Sequence, residues 1–418
     1  MNSIINSNPT NRVATIDFIR GIALLGILFI NVQTYALFAF LRPQQVYTLG
    51  LDRPDSYAPT QFFIHLLVKG QFYTIYSFLF GLGFYLMSEK NTHAGLNTNR
   101  LFKRRLWILL ALGLLHAFIF WFGDVLHKYA LLGFTLLYFR KKSVAVLGKW
   151  IIGLAVSGIV IQIVQALAFP STPAALAAGQ KQFDAVVMQV VATWQHGSVW
   201  EVMSLQSLGV AMLHVMAFQH GLAGYLHYEI MFLLGLMAGK LHLFNRLTEV
   251  KNQFLRMAFL LFPMGLILKG IAGLPVFEVH LPNINQLTYE PLIISLADFL
   301  GTPLLTVVYL IEISLIFTRY PSRITGWIAN AGRLGLTNYL MQTLLCMGLF
   351  YGYSLGFSGR LTLLESLGVA VAIYVFQIVY SNLWLMYYRQ GPLEWLWRKL
   401  TYGKERAKAI SSPDLIKY

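Results

Sequence analysis

A chain of 418 residues, 57% of them hydrophobic and only 12% charged, lies far from the composition of soluble domains, where about a quarter of the residues are charged. The formal net charge of +15 does not indicate nucleic-acid binding, because the basic residues concentrate at the ends of apolar runs, where they favour the cytoplasmic side of a bilayer. The apolar runs continue from one end of the chain to the other, so the length predicts one membrane domain rather than several soluble ones. We therefore predict an all-α fold, that of a polytopic integral membrane protein.

About ten apolar runs approach the roughly 20 residues that a helix needs to cross about 30 Å of hydrocarbon. We expect residues 1–12 to be a disordered cytoplasmic segment, residues 13–388 a single transmembrane domain, and residues 389–418 a basic cytoplasmic tail. Both termini then lie in the cytoplasm, because the basic clusters fall on that side. The predicted spans are 14–40, 61–87, the two limbs of a hairpin over 104–142, 144–169, 222–243, 254–273, 291–317, 334–355 and 361–388.

Residues 170–222 form the one extended segment outside the predicted spans. The stretch 199–220 is amphipathic and carries His214 and His220 among its polar residues. If this stretch crossed the membrane, the basic segment 240–256 would fall outside, against the charge bias of membrane proteins. We therefore expect it to lie at the extracytoplasmic face or to re-enter the membrane from that face.

The first predicted span has the pattern D-x-x-R-G at Asp17 and Arg20, which share a helix face, and Asn31 follows further along. Arg20 could bind the phosphates of an anionic cofactor from the cytoplasm, or it could simply form an ion pair with Asp17 at the membrane edge. Besides Arg20, the basic residues Lys69 and Lys269 lie within predicted spans.

The hairpin over 104–142 contains the histidine best suited to catalysis. His116 lies about three helical turns from Arg104 and Arg105, which face the cytoplasm. An ionisable side chain inside hydrocarbon is costly and marks a functional site, and an imidazole suits general-base or acyl-carrier chemistry. Asp124, at the predicted turn, could orient His116 or could cap the next helix. The alternative for His116 is a neutral core histidine that bonds to a neighbouring helix.

Further polar residues inside predicted spans could line a substrate path or could link helices. A buried Glu229 needs a partner, and Asp298 is equally costly in hydrocarbon. Asn338 and Gln342 are four residues apart and share a face, with Arg333 at the cytoplasmic end of that helix. The polar residues in question are Tyr228, Glu229, Asp298, Glu312, Asn338 and Gln342.

Several common kinds of site are not indicated. The ten histidines lack metal-ligand spacing, because His214, His220 and His227 are six and seven residues apart, so no metal is predicted. The chain has no Walker, G-x-S-x-G or dinucleotide-binding motif. Its single cysteine, Cys346, excludes an intrachain disulfide.

Five stretches resemble the YeiB-like family of bacterial inner-membrane proteins: ATIDFIRGIALLGILFIN, IYSFLFGLG, RRLWILLALGLLHAFIFWFGDVLHKYALLG, GRLGLTNYLMQT and GPLEWLWRKLTY. The resemblance covers nearly the whole chain, and the C-terminal half of that family is a domain of unknown function. The family is distantly similar to transmembrane acyltransferases, both the lysosomal heparan glucosaminide N-acetyltransferase type and the bacterial O-acyltransferases of surface sugars. Those enzymes carry acyl groups from cytoplasmic acyl-CoA to an acceptor on the far side.

The resemblance implies an acyltransferase of the bacterial inner membrane, with acyl-CoA, most naturally acetyl-CoA, as donor. The acceptor would be a hydroxyl or amine of a small molecule or glycan at the extracytoplasmic face. The O-acyltransferases have a histidine where this chain has Asn31, so the catalytic role is expected to have moved to His116. In the YeiB-like pattern a lysine often precedes the aromatic run of the second span, whereas here Lys69 is offset and Gln71 stands nearer that place. The implied roles are CoA binding by Arg20, Arg104, Arg105 and Arg333, catalysis by His116 with Asp124 or Glu229, and a path lined by Asn31, Tyr228, Asp298, Asn338 and Gln342.

A transporter of a small organic ion or envelope precursor is the alternative, with Glu229, Asp298 and Glu312 as proton or substrate sites. A structural or assembly role is a third hypothesis. An acyltransferase predicts His116 in a cavity open to the arginine cluster, whereas a transporter predicts inverted repeats and broken helices around the acidic residues. The partners expected are the bilayer and the acceptor, without nucleic acid, and a homo-oligomer stays open.

Overall fold

The chain is built from helices. The structure, a computed structural model, describes residues 9–168, 172–220, 222–282, 284, 285 and 287–403, and no strand occurs within them. The all-α prediction is confirmed. Residues 1–8 and 404–418 lie outside the described residues, and with them part of the predicted disordered segment and part of the predicted basic tail.

The described residues form seventeen α-helices, a π-helical turn at His116–Phe120 and short 3-10 turns at Leu243–Asn245 and Leu274–Phe277. The α-helices are α1 Pro9–Tyr35, α2 Pro43–Thr48, α3 Pro54–Leu67, α4 Gln71–His93, α5 Thr98–Leu115, α6 Leu126–Gly133, α7 Thr135–Phe139, α8 Val144–Ala168, α9 Pro173–His196, α10 Val199–His220, α11 Leu222–Lys240, α12 Leu247–Gly273, α13 Tyr289–Arg319, α14 Arg323–Arg333, α15 Gly335–Phe350, α16 Leu363–Tyr387 and α17 Pro392–Tyr402.

Five of the described helices are long and apolar enough to cross a membrane, which supports a polytopic membrane protein. They are Ala14–Tyr35 in α1, α8, Leu247–Phe277, α13 and α16, with mean hydropathy from 1.8 to 2.2. Some of the other predicted spans contain helices shorter than the predicted length. The predicted span 334–355 contains α15, whose 16 residues extend only about 24 Å. The second limb of the hairpin is divided at Phe134 into α6 and α7.

The prediction of one continuous helix over 61–87 is wrong, because the chain breaks between α3 and α4 at residues 68–70. Gly70 adopts φ +98°, a conformation that glycine tolerates and other residues rarely do. A Cβ on Gly70 would also lie 2.8 Å from the Thr302 side chain. The break leaves backbone carbonyls of this segment free to bind side chains from other helices.

The segment 170–222 also differs from its prediction. Its described residues form two helices of 24 and 22 residues, α9 and α10, so the part before residue 199 is helical as well. Trp200 is 77% exposed although it is apolar, while the polar Gln206 is buried, so α10 does not separate apolar and polar faces in the expected way. The backbone N–H of Phe122 donates to Gln206 Oε1 at 2.9 Å, which fixes α10 against the turn of the hairpin. The side chain of His220 lies outside the described residues.

The turn of the hairpin is packed on an aromatic cluster. Tyr35, at the end of α1, stacks on Trp121 with ring centroids 4.0 Å apart, and Trp194 of α9 lies 6.3 Å from Trp121. Phe350 and Tyr351, at the end of α15, complete the cluster. Apolar packing from three other helices therefore holds the residues that follow His116 in one position.

Candidate functional site

Asp124 lies at the centre of a buried polar cluster in the hairpin. The chain leaves α5 through the π-helical turn His116–Phe120, reverses over residues 121–125, and enters α6. A π-helical turn widens a helix locally and is frequent at functional sites. Here it brings His116 back against the start of α6, where Asp124 and His127 lie.

The carboxylate of Asp124 joins two imidazoles. Its Oδ2 lies 2.8 Å from His116 Nδ1, and its Oδ1 lies 2.8 Å from His127 Nδ1. The backbone N–H of His127 also donates to Oδ1, at 2.9 Å. All three residues are buried, with Asp124 0% and His116 3% exposed. Asp124 therefore does what both alternatives predict. It contacts the imidazole of His116, and it accepts from a backbone N–H in the first turn of α6.

The contact with Asp124 sets the tautomer of His116. An ionised carboxylate only accepts hydrogen bonds, so Nδ1 of His116 carries the proton and donates. In the neutral imidazole Nε2 is then an acceptor, and it lies 3.0 Å from the Oγ1 of Thr343, whose hydroxyl donates to it. Asp124, His116 and Thr343 form a continuous chain of carboxylate, imidazole and hydroxyl.

Helix α15 supplies the other wall of this cluster. Tyr339 lies one turn before Thr343, and its ring centroid is 5.5 Å from that of His116. The backbone N–H of Val125 donates to the Tyr339 hydroxyl at 3.4 Å. His116 is thus enclosed by side chains and is 3% exposed, whereas the acyltransferase hypothesis predicts it in an open cavity.

Gly113 allows the two limbs of the hairpin to approach each other at this cluster. A Cβ added there would lie 2.4 Å from the backbone nitrogen of His127 and 3.0 Å from Asp124 Oδ1. Neither atom can move without disturbing the carboxylate and its two imidazoles. The glycine one turn before His116 is therefore part of the construction of the site.

His127 leads from the cluster towards the surface. Its Nε2 is buried and has no hydrogen-bond partner among the described residues. Its ring centroid lies 5.4 Å from that of His214, an exposed residue of α10 whose Nδ1 bonds to the carbonyl oxygen of Val210 at 2.8 Å. The described residues contain no group of three or more His, Cys, Asp or Glu side chains arranged to hold a metal ion.

Of the four arginines predicted to bind CoA, Arg333 ends α14, whereas Arg20 lies within α1 and Arg104 and Arg105 lie within α5. Arg20 Nη1 forms an ion pair with Asp17 at 2.6 Å and donates to the carbonyl of Gly332 at 3.3 Å. Arg105 lies within electrostatic range of Arg20, with Arg104 beside it, and Arg333 lies within range of Asp17. The structure therefore brings Arg105 near Arg20 and Arg333 near Asp17, but Arg20 already has a carboxylate partner.

The C-terminal helix α17 covers this basic face. The Arg105 guanidinium lies 3.7 Å from the ring centroid of Trp397, and Trp397 Nε1 donates to the Arg105 carbonyl at 3.2 Å. Glu394 accepts from the backbone N–H groups of Leu336 and Thr337 at 2.7 and 2.9 Å, and from the Thr337 hydroxyl at 2.6 Å. A carboxylate at a helix N-terminus is electrostatically favourable, so Glu394 stabilises α15, the helix that carries Thr343.

Asn338 and Gln342 bond across helices. Asn338 Nδ2 donates to Ser381 Oγ and to the Ala331 carbonyl, both at 2.9 Å. Gln342 Nε2 donates to Gln377 Oε1 at 2.9 Å, and Gln377 donates in turn to the Asn338 carbonyl at 2.8 Å. These contacts are the interhelical links that the spacing left open, and a role in a substrate path stays a prediction.

The remaining predicted residues lie away from these contacts. Glu229 accepts from the Thr135 hydroxyl at 2.7 Å, and none of its hydrogen bonds in the described structure goes to His116. Tyr228 packs its ring 5.0 Å from that of Tyr73. Asn31 is half-buried in α1. The structure thus pairs Asp124, but not Glu229, with His116.

A second charged cluster lies where α3 and α4 separate. Lys269 is 0% exposed, and its Nζ donates to Asp298 Oδ1 at 2.6 Å, to the Lys69 carbonyl at 2.9 Å and to Thr302 Oγ1 at 3.5 Å. His65 Nε2 lies 3.6 Å from the same Asp298 oxygen. The buried ammonium of α12 thus connects α13 to a free carbonyl of the helix break.

Three known proteins are similar to this chain over almost their whole length. It is 30% identical over 417 residues to "Uncharacterized protein YxaH" of Bacillus subtilis (strain 168), covering 96% of this chain and 97% of the relative. It is 30% identical to an "Uncharacterized 39.9 kDa protein in amylase 3'region" of Bacillus acidopullulyticus, with 94% and 95% covered. It is 29% identical to "Uncharacterized protein YeiB" of Escherichia coli (strain K12), with 93% and 96% covered.

The chain belongs to the YeiB-like family. Residues 238–404 of this YeiB-like chain match the family described as "Protein of unknown function (DUF418)". That region contains α12 to α17 and so supplies Thr343, Lys269 and Asp298, whereas His116 and Asp124 precede it. The polar cluster is therefore shared between the N-terminal part of the chain and the DUF418 region. No solved structure matches the chain.

Sequence reasoning on this YeiB-like chain missed four residues of these clusters. His127 could have been found, because it follows Asp124 by three residues in a segment already singled out. Lys269 was recognised as a lysine inside a predicted span, but its ion pair with Asp298 was not predicted. Thr343 and Glu394 gave no local signal, since their partners lie 227 and 58 residues away in the chain.

Proposed function

We propose that this protein is a multi-pass acyltransferase of the bacterial inner membrane that transfers an acyl group from cytoplasmic acyl-CoA, with acetyl-CoA as the first candidate. The acceptor is a hydroxyl or amine of a small molecule or glycan at the extracytoplasmic face. The supporting observation is the buried chain of hydrogen bonds from Asp124 through His116 to a hydroxyl, that of Thr343. Polar clusters of this kind are costly inside a membrane domain and are kept where they serve a function.

The geometry of His116 suits a general base. A base must lie within about 2.6–3.2 Å of the atom whose proton it takes, and Nε2 lies 3.0 Å from the Thr343 hydroxyl oxygen. In the proposed reaction the acceptor hydroxyl takes the place of Thr343 beside Nε2. Asp124 holds the Nδ1 proton and stabilises the imidazolium that forms.

In the proposed transfer, His116 carries one proton from the acceptor to the leaving group. His116 takes the acceptor's proton while the acceptor oxygen or nitrogen forms a bond to the thioester carbonyl carbon. The carbon–sulfur bond breaks, and the proton returns from His116 to the departing CoA thiolate. Because His116 is 3% exposed, α15 or its neighbours must move to admit both substrates.

The finer topology is part of the proposal. About ten spans place both termini in the cytoplasm, where Arg20, Arg104, Arg105 and Arg333 hold the phosphates of the donor. The support is that Arg105 lies within electrostatic range of Arg20 and packs beneath Trp397 of α17. A tryptophan at a membrane surface favours the interface, which suits α17 as a cytoplasmic interfacial helix.

Calorimetry with acetyl-CoA tests the donor site. The purified full chain in nanodiscs is compared with Arg104→Ala/Arg105→Ala and with the matched control Lys251→Ala/Arg256→Ala, which removes the same charge from α12. We expect saturable binding that weakens with salt and falls at least about tenfold in the first variant only. Absence of saturable binding at about 1 mM, the upper end of usual KM values, would contradict the donor assignment.

A transporter of a small organic ion is the second candidate, and the cluster at the helix break favours it. Transporters bind substrates or ions where helices are interrupted, and Lys269 here binds both Asp298 and the free carbonyl of Lys69. Proteoliposomes loaded with a pH-sensitive dye separate the two candidates. Proton flux under an imposed potential that disappears in Asp298→Asn would support transport, whereas the acyltransferase proposal expects no flux in either protein.

A further inference from the structure

A basic cavity lies where the chain leaves α7 for α8. Its volume is about 440 Å³. Three of the six residues that line it are consecutive cations, and none is acidic. A concave surface that carries one sign of charge concentrates counter-ions at its mouth. The lining residues are Asn99, Leu137, Tyr138, Arg140, Lys141 and Lys142.

Two of these cations are held in place by neutral groups. Arg140 Nη1 donates to Asn99 Oδ1 at 2.8 Å, and the Lys142 ammonium lies 4.6 Å from the centroid of the Tyr138 ring. Within the described residues neither cation forms an ion pair with a carboxylate. Both cations therefore lack a carboxylate partner there and can pair with an anionic ligand.

A second cavity of about 210 Å³ adjoins through Arg140, which lines both. This one adds another cation, Lys240, together with the hydroxyl groups of Ser88 and Thr92. Its single carboxylate, Glu89, accepts from the Tyr85 hydroxyl at 3.2 Å. The second cavity therefore offers both donors and acceptors to a polar group that carries hydroxyls.

We infer that the two cavities form one binding site for a phosphate ester, with Arg140 and Lys142 on the phosphate and the second cavity on its hydroxyl-bearing alcohol. A guanidinium binds two phosphate oxygens at once, which suits Arg140 at the junction. The ester comes either from the headgroup of an anionic lipid or from a soluble nucleotide. The site stands apart from the cluster of Asp124 and does not depend on acyl transfer.

The two sources are tested with two probes on the full chain in phosphatidylcholine nanodiscs. Adenosine 3′,5′-bisphosphate is titrated by calorimetry, and phosphatidylglycerol is added before native mass spectrometry, which counts retained lipids. Saturable binding of a single molecule that is kept in Arg104→Ala/Arg105→Ala supports the site and identifies the source. Because adenosine 3′,5′-bisphosphate is also part of CoA, binding that is lost in that variant but kept in Arg140→Gln/Lys142→Gln overturns the site. The absence of saturable binding in both overturns it.

Variants locate the binding. Arg140→Gln/Lys142→Gln should weaken it at least about tenfold, as expected when charge-assisted hydrogen bonds are lost. The matched control Lys251→Gln/Arg256→Gln should stay within about twofold. Arg140→Lys keeps the charge, and so the membrane orientation, but loses the planar donor pair, and should give an intermediate loss. Equal loss in the control would show attraction to charge in general and would overturn the site.

Discussion

Asp124 and Asp298 are both carboxylates within the membrane domain, but their partners differ. Asp124 is 0% exposed and accepts from two imidazoles, so its contacts leave an acceptor nitrogen of His116 against a hydroxyl. The side chain of Asp298 is 39% exposed and pairs with the ammonium of Lys269, which has three acceptors around it. A carboxylate within the membrane domain therefore does not by itself distinguish a general-base site from an ion pair, whereas an acceptor nitrogen that faces a hydroxyl favours the first.

Of the changes considered, replacing Asp124 should have the largest effect, and this effect should be on the rate of acyl transfer. In Asp124→Asn the amide can donate to His116 Nδ1, which favours the tautomer with its proton on Nε2 and removes the base. We expect acyl transfer to fall about 10²–10⁴-fold, the usual range for lost general-base catalysis. Release of CoA thiol is the measurement. Asp298→Asn is the matched control, and equal rates in the two variants would contradict the assignment.

Replacing Asp298 should instead lower stability. Asp298→Ala leaves Lys269 buried without its carboxylate and should reduce the free energy of unfolding by about 3–5 kcal/mol. Lys269→Met/Asp298→Leu removes both charges and should recover most of that loss. Unfolding in a detergent titration measures both variants. A stable Asp298→Ala protein would show that the pair does not support the fold.

Gly113 tests how closely the cluster is packed. Gly113→Ala places a Cβ 2.4 Å from the His127 nitrogen, so we expect a loss of about 1–3 kcal/mol from overpacking. Gly148→Ala in α8 is the control, because nothing lies within 4 Å of its added Cβ and alanine favours a helix. Thermal unfolding compares the two, and an equal change in both would refute the close approach.

Glu394 should show the smallest effect. Glu394→Gln weakens the charge at the N-terminus of α15 and should cost about 1 kcal/mol. Glu365→Gln at the start of α16 removes a similar charge, because Glu365 accepts from Thr362 there. Only the first change should lower acyl transfer, since α15 carries Thr343. Equal rates of acyl transfer in the two variants would show that α17 does not support the site.

Local patterns predicted the parts of the molecule that depend on neighbours in the chain. One continuous segment predicts the hairpin and its turn at Gly123 and Asp124. The same segment suggested the contact between Asp124 and His116. For Asn338 and Gln342 the sequence left two alternatives open, a substrate path or hydrogen bonds between helices, and the structure shows such hydrogen bonds. The cytoplasmic placement of the arginines stays a prediction from charge bias.

Contacts between distant segments could not be predicted in this way. The bond from His116 to Thr343 spans 227 residues, and that from Lys69 to Lys269 spans 200. At the break, a Cβ on Gly70 would lie 2.8 Å from Thr302, and Lys269 donates to the Lys69 carbonyl, so both partners come from distant parts of the chain. The contact of Arg105 with Trp397 likewise joins α5 to α17, which are far apart in the chain.

The most direct test of the central claim is transfer of labelled acetyl groups by everted membrane vesicles that contain equal amounts of wild-type protein or His116→Gln. Acetyl-CoA labelled in the acetyl group is supplied outside the vesicles, at the original cytoplasmic face, and the label in extracted lipid and glycan is counted. If His116 is the general base, we expect incorporation in wild-type vesicles and at least about a hundredfold less in the variant. Equal incorporation in both would show that His116 is not the base, and no incorporation above vesicles without the protein would contradict acyl transfer itself.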